Sequence, residues 1–92
     1  MVAGGSTWRV VFTKQAQKDA RKLNRAGLRT KTEMLLELLR GNPYGQPPHF
    51  EKLVGDLSGA FSRRISIQHR LVYQVLEKKR VVKVLRMWTL YE

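Results

Sequence analysis

At Ser58-Gly59 the apolar pattern of this chain changes period. Before that dipeptide hydrophobic residues recur at helical spacing; after it they alternate with polar ones, as strands with one buried face require. Ala60, Ser62, Arg64 and Ser66 alternate with Phe61, Arg63, Ile65 and Ile67, and the runs from Arg70 to Leu76 and from Val81 to Met87 are rich in β-formers. Gln68-His69 and Glu77-Lys78-Lys79-Arg80 are polar breaks short enough for hairpins.

Upstream, the aromatic and β-branched stretch Trp8-Arg9-Val10-Val11-Phe12 predicts a first strand. Thr13 offers an N-cap oxygen to a helix running to about Asn24, with Ala16, Ala20 and Leu23 facing inward. Its outer face carries Lys14, Lys18, Arg21, Lys22 and Arg25 against a single Asp19, and the segment from Asn24 to Gly27 ends it. A second helix from about Leu28 presents Leu28, Lys31, Leu35, Leu38 and Leu39, flanked by Met34 and Leu36, as a broad buried stripe. Gly41-Asn42-Pro43 supplies a left-handed stop and a following proline. Residues 42–58 hold three prolines and no clean period, which predicts a long loop of the kind that is usually functional. The order is β-α-α-β-β-β: an α+β fold with two helices packed on one face of a small, mostly antiparallel sheet. Residues 1–6 read as a disordered N-terminal extension, and 7–92 as a single domain.

Ninety-two residues suffice for one core, and 42% hydrophobic residues place the chain well clear of disordered compositions. No stretch reaches the roughly 18 uncharged apolar residues of a membrane span, and the opening MVAGGSTW lacks a signal-peptide pattern, so a soluble, cytoplasmic protein is expected. The absence of cysteine removes disulfides, thiolate metal sites and thiol nucleophiles, and two histidines, His49 and His69, are too few for a histidine metal cage. His69, in a turn that opens a strand, reads as structural. No nucleotide-binding, P-loop, zincin or EF-hand motif occurs, so neither a cofactor nor a metal is expected. The net charge of +11 costs folding free energy through self-repulsion and points to a polyanionic partner, a phosphate backbone or an acidic protein.

Glu51, Arg63, Arg64, Arg70 and Tyr91 concentrate in the second half of the chain. Strand neighbours alternate sides, so Arg63 and Arg64 point to opposite faces and only one can share a site on the open face. Metal-free cleavage of RNA needs a base for the 2′-hydroxyl proton and a cation for the pentacoordinate phosphate, two demands that a Glu and an Arg meet. The competing interpretation makes Glu51 one half of an ordinary ion pair and the arginines a solvated strand face.

The string Glu51-x-Leu53, Leu57-Ser58-Gly59, Ser62-Arg63-Arg64-Ile65, His69-Arg70-Leu71-Val72-Tyr73 and terminal Tyr91-Glu92 resembles the Txe/YoeB branch of the RelE-type toxin superfamily, over about residues 8–92. That resemblance implies a ribosome-dependent mRNA endonuclease acting in the A site, held silent by a cognate acidic antitoxin of YefM/Phd-like type. It leaves room for a homodimer. It further implies that Glu51 is the general base, that Arg70 stabilises the transition-state phosphate, and that Arg64 is a second phosphate-directed arginine. Lys14, Lys18, Arg21, Lys22, Arg25 and Lys52 would contact ribosomal RNA.

The family's C-terminal His-Tyr pair falls on Leu90-Tyr91 when the ending RMWTLYE is read with a short insertion, and on Trp88-Thr89 without one. Neither alignment supplies the histidine that protonates the leaving oxygen, and a leucine cannot donate a proton. Natural divergence and a detoxifying change would both leave this trace. Val54 stands where family members carry a lysine near the base, with Lys52 as a partial substitute. A second functional class is therefore carried alongside the nuclease: a non-enzymatic inhibitor on the same fold, ParE-like or degenerate, acting by occupancy. Sequence-specific DNA binding through the helices is disfavoured, since the second helix is too leucine-rich to expose a recognition face.

Overall fold

A computed structural model describes residues 8–47 and 49–87 of the chain. Strand β1 (Arg9–Phe12) is followed by helices α1 (Lys14–Arg25) and α2 (Arg29–Gly41), then by β2 (Phe50–Lys52), β3 (Phe61–Arg64), β4 (Arg70–Leu76) and β5 (Val81–Arg86). The strands form one five-stranded sheet in the order β1-β5-β4-β3-β2, in which only the β1–β5 pair is parallel. Val10 and Phe12 of β1, Leu71, Tyr73 and Val75 of β4, and Val82 and Val84 of β5 face the helices, where they meet Ala16, Leu23, Leu35, Leu36 and Leu39. Both helices therefore cover one face of the sheet, as expected of the α+β pattern, while Ser62 and Val72 lie on the opposite face and are also buried. None of the helices in the described residues is long and apolar enough to cross a membrane.

Helix α1 begins where Thr13 accepts a hydrogen bond from the Ala16 amide at 3.0 Å, and the same hydroxyl donates to the Leu85 carbonyl at 2.8 Å, tying the cap to β5. It ends in a Schellman motif: Gly27 sits at φ 77°, and the Leu28 and Gly27 amides donate to the Leu23 and Asn24 carbonyls. Helix α2 stops differently from expectation. Gly41 is its last residue and has no left-handed backbone; Asn42 is extended at φ −160°. Pro43 disfavours the helical region for the residue before it, which ends the helix without a left-handed step.

The buried stripe of α2 is also displaced. Thr32, Leu35, Leu36 and Leu39 are buried, Leu38 is half-buried, and Lys31 and Met34 are exposed, Met34 by 69%. Thr32 can enter the core because its hydroxyl donates to the Leu28 carbonyl at 2.8 Å, which removes the cost of burying it.

The segment 42–58 is more than a loop. Its residues 50–52 form β2, an edge strand pairing antiparallel with β3 (Phe50 opposite Arg63, Glu51 opposite Ser62, Lys52 opposite Phe61). A 3₁₀ turn at Gly55–Leu57 and left-handed glycines at 55 and 59 close the hairpin. Strand β3 is shorter than its alternation suggested, because the amides of Ile65 and Ser66 both donate to the His69 carbonyl and turn the chain after Arg64.

Asp19 is the main correction on α1. It is not on the outer face among the lysines but fully buried on the stripe with Ala16 and Leu23. Its carboxylate accepts from Arg86 Nε at 2.9 Å, the Met87 amide at 3.0 Å and Gln15 Nε2 at 3.1 Å. Burial alone would raise its pKa; the three donors, Arg86 foremost, outweigh burial and hold it below the ordinary carboxylate value. A depressed carboxylate contributes stability that is complete above the unfolded-state value near pH ~4 and is lost as pH falls through the folded one. Asp19→Asn should destabilise the fold at neutral pH by about 3 kcal/mol, a drop in Tm of roughly 12–24 °C, with the gap to wild type narrowing below pH ~4. Thermal melts of both proteins across that range check it, and a gap independent of pH would remove the charge from the explanation.

Candidate active site

Alternation and register bring the second-half residues together. Glu51 lies opposite Ser62, Ser62 opposite Val72 and Arg64 opposite Arg70, so Glu51, Ser62, Arg64 and Arg70 share the face of the sheet opposite the helices, across β2, β3 and β4. Together with His49 they line a cavity of about 310 Å3. Arg70 Nη1 donates to Glu51 Oε1 at 3.0 Å and to Ser62 Oγ at 3.4 Å. Both members of the ion pair reach solvent, 31% exposed for Arg70 and 55% for Glu51, and an exposed pair is worth only about 0–1 kcal/mol to stability.

Electrostatically the site is set for an anion. Arg64 and Arg70 are direct cross-strand partners, an arrangement of like charges that destabilises a sheet unless something negative lies between or over them. Glu51 supplies one negative charge at 3.0 Å from Arg70. A phosphodiester seated in the cavity would add a second acceptor for guanidinium donors already aimed at oxygen. Among the described residues no group of three His, Asp or Glu side chains could hold a metal ion.

Arg63, pointing the other way from Arg64, is wholly buried. It donates through Nε to the Tyr73 hydroxyl and through Nη2 to the Pro43 carbonyl, both at 2.9 Å. Burial pushes the Tyr73 phenol above its ordinary pKa although the Arg63 hydrogen bond pulls it down. Tyr44, beside Pro43, is pushed up to about 12 by burial and by the Glu77 carboxylate, to which its hydroxyl donates at 2.7 Å.

The other residues singled out from sequence fall elsewhere. Lys14, Lys18, Arg21 and Arg25 are exposed on α1, with Lys22 half-buried, and α1 packs on the covered side of the sheet through β1 and β5, away from the cavity. Lys52 does not stand in for a cation beside Glu51: it is the next residue along β2 and projects from the opposite face. Val54 is 85% exposed, beyond the end of β2. His69 shares a hydrogen bond with Ser66 Oγ at 2.6 Å inside the β3–β4 turn, in keeping with a structural part. Leu90 and Tyr91, like Trp88 and residues 1–6, lie outside the described residues; the chain leads toward them from Met87, whose amide Asp19 holds.

Sequence reasoning missed His49, Ser62 and the burial of Arg63. His49 and Glu51 are two residues apart, as are Ser62 and Arg64, and that period-two spacing was the available signal for one shared face.

A family model described as the YoeB-like toxin of bacterial type II toxin-antitoxin systems matches residues 10–91. No curated protein matches the sequence. Among solved structures, the YoeB/ParE toxin from Agrobacterium tumefaciens superposes with a TM-score of 0.79 at 28% identity, covering 88% of this chain and 96% of that one. The YoeB-YefM complex from Staphylococcus aureus gives a TM-score of 0.74 at 28% identity, over 88% and 94% of the two chains. The YoeB dimer from the same organism gives 0.71 at 28% identity, over 90% and 97%.

Proposed function

The chain belongs to the YoeB-like toxins of bacterial type II toxin-antitoxin systems, and from that premise we propose that it is a ribosome-dependent mRNA endoribonuclease that cuts without a metal through the 2′-hydroxyl. The observation that carries this reading is the 3.0 Å approach of Arg70 to Glu51 in a cavity that also holds Arg64. On a ribonucleotide the 2′-oxygen and the adjacent phosphate are bonded neighbours of one sugar. A base and a cation serving both must stand within a few ångströms of each other, and this pair does.

In the proposed reaction Glu51 removes the 2′-hydroxyl proton, the oxygen attacks the neighbouring phosphorus as the bond to the 5′-oxygen of the next nucleotide breaks, and Arg70 and Arg64 neutralise the charge that gathers on the phosphoryl oxygens. Arg70 can serve both partners because a guanidinium carries five N–H donors, of which Nη1 supplies the bonds to Glu51 and Ser62. Leaving-group protonation is the weak step. Leucine at position 90 offers no proton, and loss of acid assistance lowers a rate about 10²- to 10⁴-fold, leaving slow cleavage, with the hydroxyls of Thr89 and Tyr91 on either side of that position in sequence. The cationic face of α1, with Lys14, Lys18, Arg21, Lys22 and Arg25, would grip ribosomal RNA phosphates without reading sequence.

Arg70→Ala should lower single-turnover mRNA cleavage on programmed ribosomes about 10²-fold, the usual cost of one transition-state donor. Unchanged cutting would unseat Arg70 from the phosphate. Growth arrest that survives Arg70→Ala would instead favour inhibition by occupancy.

The reading brings with it an acidic antitoxin of YefM/Phd-like type, and a homodimer as a second assembly. Relatives supply the precedent, in a YoeB-YefM complex and a YoeB dimer from Staphylococcus aureus. With +11 on this chain the antitoxin contact should be electrostatic. Affinity for the product of the adjacent open reading frame is expected to fall at least ~10-fold between about 0.05 and 0.5 M salt, measured by titration calorimetry. Indifference to salt would refute charge complementarity as the driving force.

A further inference from the structure

We propose that Arg63 is the positioning residue for the Glu51 carboxylate, fixing the edge strand that carries it through a buried guanidinium link to the Pro43 carbonyl and the Phe50 ring. This rests on the reading of Glu51 as the general base. Strand β2 has three residues and, among the described residues, pairs with β3 alone, so its own ladder is a weak anchor for a group whose placement must be good to a fraction of an ångström.

The anchoring comes from beneath. Arg63 is directly opposite Phe50 in the register, and its guanidinium lies 4.9 Å from the centre of the Phe50 ring, one residue before Glu51. Its Nη2 holds the Pro43 carbonyl at 2.9 Å, at the start of the segment that leads into β2. Tyr73 closes the same linkage: its hydroxyl accepts from Arg63 Nε and lies 2.9 Å from the Pro43 carbonyl, to which it donates. Tyr44, Phe50, Phe61 and Tyr73 stack around this centre with ring centroids 5.5–6.4 Å apart.

Burying an arginine is costly unless its donors are met; here they go to the Pro43 carbonyl and the Tyr73 hydroxyl, and with the guanidinium over the Phe50 ring Arg63 touches both ends of the segment that delivers Glu51. A lysine at position 63 keeps the charge and most of the volume but cannot reproduce the fork that reaches Tyr73 and Pro43 together. Arg63 does not face the cavity, so any effect on cleavage must pass through the placement of β2.

The test compares wild type, Arg63→Lys, Glu51→Gln and the double variant in ribosome-programmed mRNA cleavage, with amide hydrogen exchange on the free proteins. Arg63→Lys is expected to lower kcat about 10- to 100-fold with KM within about twofold, to add nothing further in the Glu51→Gln background, and to raise exchange at residues 50–52 about tenfold or more while β4 and β5 keep their protection. A wild-type rate in Arg63→Lys, a further slowing of the Glu51→Gln protein, or exchange that rises equally through β4 and β5 would each overturn the proposal. Failure of Glu51→Gln to slow cleavage counts against the nuclease reading instead, and the exchange measurement still decides whether Arg63 fixes β2.

Discussion

Glu51→Ala is expected to cut the single-turnover rate of mRNA cleavage on programmed ribosomes by about 10²- to 10⁴-fold, with ribosome affinity changed by no more than about twofold. The 2′-hydroxyl is a poor nucleophile until its proton leaves, and a base contributes only within hydrogen-bond reach of that proton. Among the described residues Glu51 is the one carboxylate lining the cavity shared by Arg64 and Arg70, and its 3.0 Å contact with Arg70 sets it beside the place a phosphate would take. The same substitution removes a half-exposed ion pair worth about 0–1 kcal/mol, so the fold should survive and the loss should be chemical. An equal fall in ribosome affinity would assign Glu51 to binding instead.

Leu90→His should act in the other direction, raising the cleavage rate about 10²- to 10⁴-fold and making it depend on a group that titrates near neutrality. Departure of the 5′-oxygen leaves an alkoxide unless a proton arrives as the bond breaks, and imidazolium can deliver one where leucine cannot. The gain should vanish when Glu51→Ala is combined with it, since an acid cannot act on an attack that no base has begun. A histidine at 90 that restores nothing would mean either that the ending is aligned without the insertion or that leaving-group protonation is not what limits this chain.

The parts of this molecule that were legible in its sequence are those in which a local period and a buried face coincide. Arg70–Leu76 was read to the residue because apolar side chains fill that run between two polar breaks, and the Thr13 cap was legible because an N-cap is a local event. Strand β2 was not. Three residues at a sheet edge, preceded by prolines, carry no measurable alternation, and their strand character comes from pairing with β3.

Charged residues misled for a related reason. Asp19 among lysines reads as surface, and alternation puts Arg63 and Arg64 on opposite faces without saying which of them is covered; in the fold Asp19 and Arg63 are both fully buried. Each kept the spacing of the core around it. Asp19 continues the stripe of Ala16 and Leu23, and Arg63 alternates in step with Phe61 and Ile65. Period carried more information than polarity at these two positions, because hydrogen-bond partners 67 residues away for Asp19 and up to 20 away for Arg63 settle whether a charge can be buried. The meeting of Glu51 with Arg70 is a tertiary fact of the same kind, since register across three strands produces it.

The most direct test of this account is the chemistry of the cut ends. Messenger RNA cleaved by the wild-type chain on programmed ribosomes, in buffer containing a chelator tight enough to bind any divalent metal not held by the ribosome, should end in a 2′,3′-cyclic phosphate facing a 5′-hydroxyl. Replacing the 2′-hydroxyl of the scissile nucleotide by hydrogen should abolish cutting. Fragments bearing a 3′-hydroxyl and a 5′-phosphate, or cleavage that persists on the 2′-deoxy substrate, would contradict a Glu51–Arg70 pair acting through the 2′-oxygen.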